Sequence, residues 1–159
     1  MTITHKISRA TTLATLAVAL AVGAPAVVGC AALQKIESSV VLATDTLEAV
    51  VAVLAVTDEL AADYIDKLTD PTEAELADVL RLKEHVSSAY NYIRNGRMAL
   101  MSGDVRTARL DVGSSLDELV SALAILDSKG VDVSKALTAL TKARDLLDKL
   151  EVYCGGHSC

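Results

Sequence analysis

Tryptophan and phenylalanine are absent from this 159-residue chain, and four tyrosines are its only aromatic residues. Any core must therefore come from alanine, valine, leucine and isoleucine. Proline occurs twice, at Pro25 and Pro71, so little breaks a helical pattern. Histidine is scarce too. Hydrolytic triads need one to move protons, yet beyond residue 29 only His85 and His157 remain, and neither lies in a nucleophile motif. A glycine-rich phosphate loop, His-Glu-x-x-His, Cys-x-x-Cys-His and the paired Glu-x-x-His motifs of di-iron bundles are all missing. His85, Met98 and Met101 at bundle spacing read as flank and packing residues rather than haem ligands. The chain is thus expected not to be an enzyme and to use no cofactor.

What the sequence does have begins at its start. His5, Lys6 and Arg9 precede an apolar run from Leu13 to Val22, followed by Gly23 and Pro25. A basic stretch, an apolar stretch and a small-residue site make up a secretory signal peptide. The segment closes on Val27-Val28-Gly29-Cys30, which resembles the lipobox of bacterial lipoproteins. That resemblance implies cleavage before Cys30, diacylglycerol on its sulfur and export to the cell envelope. Ala31 resembles the outer-membrane-sorted kind, so the periplasmic face of an outer membrane is expected where two membranes exist. Two other readings stand beside it. Ala24-Pro25-Ala26 is an A-x-A-like site for release after Ala26, and residues 10–29 are about long enough to remain as an uncleaved anchor.

Three cysteines leave one unpaired in an exported chain, and acylating Cys30 removes the odd one. Cys154 and Cys159 are then expected to form a short C-terminal disulfide across two glycines, with free thiols or a link to another chain as the other readings. Cys154, His157 and Cys159 are also soft or borderline metal ligands, but three without a fourth make a weak zinc or copper site, and no metal is expected.

Residues 1–29 carry Lys6 and Arg9 but no acid, so their removal takes the formal charge from −6 to −8. Phosphate backbones repel such a chain, and nucleic acid is not an expected partner.

Apolar spacing then predicts an all-α fold of four helices. The first runs from about 33 to 68 on Leu33, Ile36, Val40, Ala43, Leu47, Val50, Leu54, Ala61, Tyr64 and Leu68, with Thr57 the one polar step. Asp70-Pro71-Thr72-Glu73 predicts the second helix, with Asp70 as its cap and Pro71 at its first position. Leu76, Val79, Leu82, Val86, Ala89, Ile93 and Leu100 continue its stripe through Asn95-Gly96. Gly103-Asp104 opens a third helix on Val105, Ala108, Val112, Leu116, Leu119, Leu123 and Leu126. After Gly130, Asp132 or Ser134 opens a fourth on Val133, Leu137, Leu140, Leu147 and Leu150. Short turns favour an antiparallel, up-down-up-down four-helix bundle with a long first helix. The expected domains are a signal peptide at 1–29, the bundle at 30–153 and a cysteine-containing tail at 154–159. The turn from Leu100 to Ala108 also resembles that of tetratricopeptide-type hairpins, without their repeat period.

That topology sorts the charges. Asp58, Glu59, Asp63, Asp66, Asp70, Glu73, Glu75 and Asp78 crowd the turn farthest from Cys30, and Arg94, Arg97, Arg106 and Arg109 flank the nearer one. The arginines are candidates for contact with anionic headgroups. Tyr90 and Tyr92 flank Asn91 and point to different sides; Tyr92 is the candidate partner contact. The expected function is that of a lipid-anchored envelope protein, periplasmic or surface-exposed, which binds or assembles with an envelope protein or with its own kind as a homo-oligomer. A small-molecule or metal carrier is the first alternative, and a phage-encoded envelope lipoprotein acting in lysis or superinfection exclusion the second.

Overall fold

Helical spacing and the near absence of proline give four helices and no strand among the residues described. A computed structural model describes the backbone of residues 27–154 and the side chains of residues 38–154. The elements are α1 (Val27–Asp66), α2 (Glu73–Met101), α3 (Val105–Ser128) and α4 (Ser134–Cys154), packed as an antiparallel four-helix bundle. Residues 1–26 of the expected signal peptide, His157 and Cys159 lie outside the described residues, as does the side chain of Cys30, while α1 already includes residues 27–29.

Each turn has a local cause. Thr72 caps α2: Glu75 N donates to its hydroxyl at 3.3 Å while Thr72 N donates to the Glu75 carboxylate at 2.8 Å, a reciprocal capping box. The expectation of Asp70 as the cap is corrected. Asp70 instead takes a left-handed backbone, φ 58°, and turns the chain before Pro71. The physical reason is that Thr72-x-x-Glu75 satisfies two helix-end N–H groups at once and so starts the helix at Glu73, two residues beyond Asp70's reach as a cap. Gly103, φ 79°, precedes Asp104, whose carboxylate accepts from Thr107 N at 2.9 Å and caps α3. Gly130, φ 75°, ends the next turn, and Asp132 accepts from Ser134 N at 3.0 Å at the start of α4.

The α2/α3 hairpin is the most extensive pair, because its facing residues are small. Ala89, Gly96, Ala99, Ala108 and Ser115 are buried, and Ser115 Oγ donates to Ala89 O at 3.1 Å. α1 touches all three other helices, whereas α2 and α4 do not meet among the described residues. The centre is filled by Val50 and Val53 of α1, Leu82 of α2, Leu116, Leu119, Leu123 and Leu126 of α3, and Ala136, Leu140 and Ala143 of α4. Thr46 and Thr57 are buried on α1 without cost in lost hydrogen bonds, since each hydroxyl donates to a carbonyl one turn back, at 2.6 and 2.8 Å. A second cluster of Ala43, Val105 and Leu150, joined by Leu100 and Cys154, sets the level of one pole. There α1 enters, α2 turns into α3 and α4 ends. Leu76 and Leu137, placed in the apolar stripes from spacing alone, are exposed. The inner face of α2 is instead carried by Val79, Leu82 and the small residues that let α3 approach.

Candidate functional site

Between α1 and α2 the bundle leaves a groove open to solvent, with a volume of about 490 Å³. Its floor is apolar: Leu54, Ala61 and Ile65 of α1 face Leu82 and Val86 of α2. Its lips carry Asp58 and Ala62 on one side and Lys83, Ser87 and Tyr90 on the other, all exposed. No ion pair within 4.0 Å engages either Asp58 or Lys83 among the described residues, so two opposite charges stand uncommitted above an apolar floor. An amphipathic helix or an apolar molecule with a polar end suits such a site chemically. The floor exists because α2 packs most extensively on α3 and α1 on α4, which leaves the seam between α1 and α2 shallow.

A second hollow of about 460 Å³ lies at the other pole, lined by Leu60, Asp63, Tyr64, Lys67, Lys129 and Asp132 among others. The Tyr64 hydroxyl is the one buried side-chain oxygen or nitrogen with no hydrogen-bond partner among the described residues. Around it the acidic pole is partly neutralised from within. Asp78 pairs with Lys129 and with Arg81, and the Lys129 hydrogen bond holds the Asp78 carboxyl below the usual carboxylate range. Glu75 is held low as well, chiefly by the backbone N–H of Thr72. Asp63, Asp66 and Asp70 stay exposed.

Arg94 and Arg97 lie in the last two turns of α2, and Arg106 and Arg109 in the first turns of α3. Arg109 is committed to Glu151 of α4, whereas Arg94, Arg97 and Arg106 are exposed and enter no ion pair among the described residues. Of the two neighbouring tyrosines, Tyr90 is the more open, 59% exposed on the groove lip, and Tyr92 is half-buried. Cys154 closes α4, half-buried against the pole cluster; its expected partner Cys159 lies beyond the described residues. Among the described residues no three His, Cys, Asp or Glu side chains come together as a metal site.

Sequence reasoning missed two features. His85 Nδ1 lies 2.6 Å from Glu118 Oε2, a half-buried pair that ties α2 to α3. Its partners are 33 residues apart, and no local pattern announces it. The groove lip was missed too, although the exposed repeat of Leu80, Ser87 and Arg94 at seven-residue steps is present in the sequence. Comparison with known protein families, with curated proteins and with solved structures finds no match.

Proposed function

We propose that this chain is an exported lipoprotein, held to an envelope membrane through acylated Cys30, whose helical bundle binds or assembles with protein partners and performs no catalysis. The observation that carries the binding role is the α1/α2 groove, an apolar floor between two lips bearing uncommitted charges. The lipobox-like Val27-Val28-Gly29-Cys30 supports the anchor. Geometry supports a docking role for the arginines over a membrane role. Cys30 and Ala43 are thirteen residues apart on α1, so an upright helix holds the arginine pole about 20 Å from the acylated end. At physiological salt a surface potential decays over about 8 Å. Arg94, Arg97 and Arg106 are then left facing protein rather than headgroups.

A carrier of a small apolar molecule is the second reading, and the groove volume favours it, since about 490 Å³ lies within the usual range for ligand pockets. The open side of the groove and the filled centre of the bundle favour a helix over an enclosed molecule.

The deciding experiment is the intact mass of the protein extracted from bacterial membranes, beside a Cys30→Ser control. The expected result is loss of residues 1–29 with acyl mass on the wild type alone. Cleavage after Ala26 without lipid, or an uncleaved chain, overturns the anchor. For the docking role, a photo-crosslinking side chain at Tyr90 is expected to give a covalent protein adduct in those membranes that one at Lys142, on the exposed face of α4, does not.

A further inference from the structure

Along the outer sides of both helices run two unlike ridges, which take in Ala62 of the groove lip on α1 and Lys83, Ser87 and Tyr90 on α2; Glu59 of the first also lines a hollow shared with Asp132 and Lys135. On α1, seven-residue steps from Asp66 and Ala62 lead to Glu59, Ala55, Ala52 and Glu48, all exposed. Between Ser38 and Asp66 the helix has no lysine or arginine. This ridge is small and acidic. On α2, the same steps from Ser87 and Tyr90 lead to Leu80, Lys83, Arg94 and Arg97, also exposed, and the three cations make no ion pair among the described residues. This ridge is bulky and basic.

We propose that the α1/α2 face is covered by a second copy of this chain, in a two-fold dimer whose bundles lie side by side with like poles together, α1 of each against α2 of the other. The inference rests on the reading of this face as a docking surface and names its partner. Two two-fold axes can bring the face onto itself. An axis across the bundle lays α1 on α1, acids against acids. An axis along the bundle lays the acidic ridge on the basic one, antiparallel, and does so twice. The spacing then fits. Glu48 and Glu59 are eleven residues apart, and so are Lys83 and Arg94, about 16 Å on either helix. Both charge pairs therefore close in one register, with Arg97 beside Arg94. Between them Ala52 and Ala55 leave room for the Tyr90 ring, a large residue against small ones. A face about 40 Å long and two helices wide offers roughly 700 Å² per copy, close to the roughly 800 Å² of a stable interface. Like poles together also send both copies of α1 towards the same membrane.

The test is the mass of the full chain, purified in mild detergent, with two charge-reversed forms. One carries Glu48→Lys and Glu59→Lys; the other carries Lys83→Glu and Arg94→Glu. All four sites are exposed, and circular dichroism checks that both forms stay helical. The wild type is expected to be a dimer at about 50 µM, and each form alone to dissociate with its dissociation constant raised at least about tenfold. An equal mixture of the two forms regains the dimer, because each basic α1 then meets an acidic α2. A monomeric wild type, reversed forms that dimerise unaided, or a mixture that stays monomeric overturns the proposal. None of these outcomes depends on acylation, which the intact mass reads separately. A monomeric chain that still gives Tyr90 adducts leaves the docking face standing with a different partner.

Discussion

At the scale of single residues, Gly96 shows how a helix-weakening residue is retained by packing. It sits inside α2, where glycine costs about 1 kcal/mol against alanine, yet it is buried against the α3 backbone. A Cβ there would meet Ala108 O and Asp111 Cβ at 3.5 Å and Val112 Cγ2 at 3.6 Å, ordinary van der Waals distances. Gly96→Ala is therefore expected to raise stability by up to about 1 kcal/mol, and Gly96→Leu to lower it by about 1 to 3 kcal/mol through overpacking. Urea titration of both variants checks this pair of signs; an alanine variant less stable than the wild type would mean α3 sits closer than described. His85 and Glu118 make a second case. Both side chains are about 30% exposed, so their link is worth little despite its 2.6 Å length. A double-mutant cycle with His85→Ala and Glu118→Ala is expected to return a coupling of about 0.2 to 1 kcal/mol. A coupling near zero would leave the pair a neighbour rather than a bond.

Among the elements, α2, α3 and α4 share one device: a carboxylate at the N-terminus. Glu75 is held below its ordinary value of 4.5, first by the Thr72 backbone N–H. Asp104 and Asp132 are held below 3.8, first by the hydroxyls of Thr107 and Ser134 respectively. A carboxylate with a lowered folded-state pKa stabilises the fold fully above its unfolded value, and that contribution disappears as pH falls through the folded one. Stability to urea should thus stay level from pH 7 to about 4.5 and decline below it. Combining Glu75→Gln, Asp104→Asn and Asp132→Asn should lower stability at pH 7 and flatten the acid limb. Asp111 works the other way, its pKa raised by burial and then by Asp104, and tempers the decline. Thr72→Ala alone should cost about 1 kcal/mol at neutral pH, measured in the same titration. These caps also mark how far the sequence could be read. Asp104 was legible because it follows Gly103, while Asp132 stood beside Ser134 as one of two candidates after Gly130. Asp70 was misassigned because it stands two residues before a better motif, Thr72-x-x-Glu75. Helix number and order came from the three-and-four spacing, which reports burial. The groove did not, since a period says which face is apolar but not where two neighbours part. Leu76 and Leu80 fit a helical period equally well facing in or out.

Across the whole molecule, the feature that most needs explaining is the apolarity of α1. From Ser38 to Asp66 it is long and apolar enough to cross a bilayer, judged by length and composition. Its position in the bundle accounts for this differently. α1 touches α2, α3 and α4, so three sides of it meet protein, and apolar residues there fill the centre. Its remaining side carries Asp45, Glu48, Asp58, Glu59 and Asp63, all exposed, with an acid recurring over most of its turns. An acid at the middle of a bilayer costs about 2.5 to 3.5 kcal/mol on insertion scales, whereas in the bundle each of these acids stays exposed. The bundle thus accounts for the apolarity of α1 without a bilayer, since its apolar faces are covered by three neighbours. The expected outcome is that Asp45→Cys and Ala74→Cys, one near each pole, react equally with a membrane-impermeant maleimide in intact spheroplasts, above the labelling of the unchanged chain. If α1 crossed the bilayer, Asp45→Cys would lie within the hydrocarbon and stay unlabelled while Ala74→Cys reacted from one side only. Equal labelling at both poles requires the acids of α1 and the turn before α2 to share one aqueous compartment.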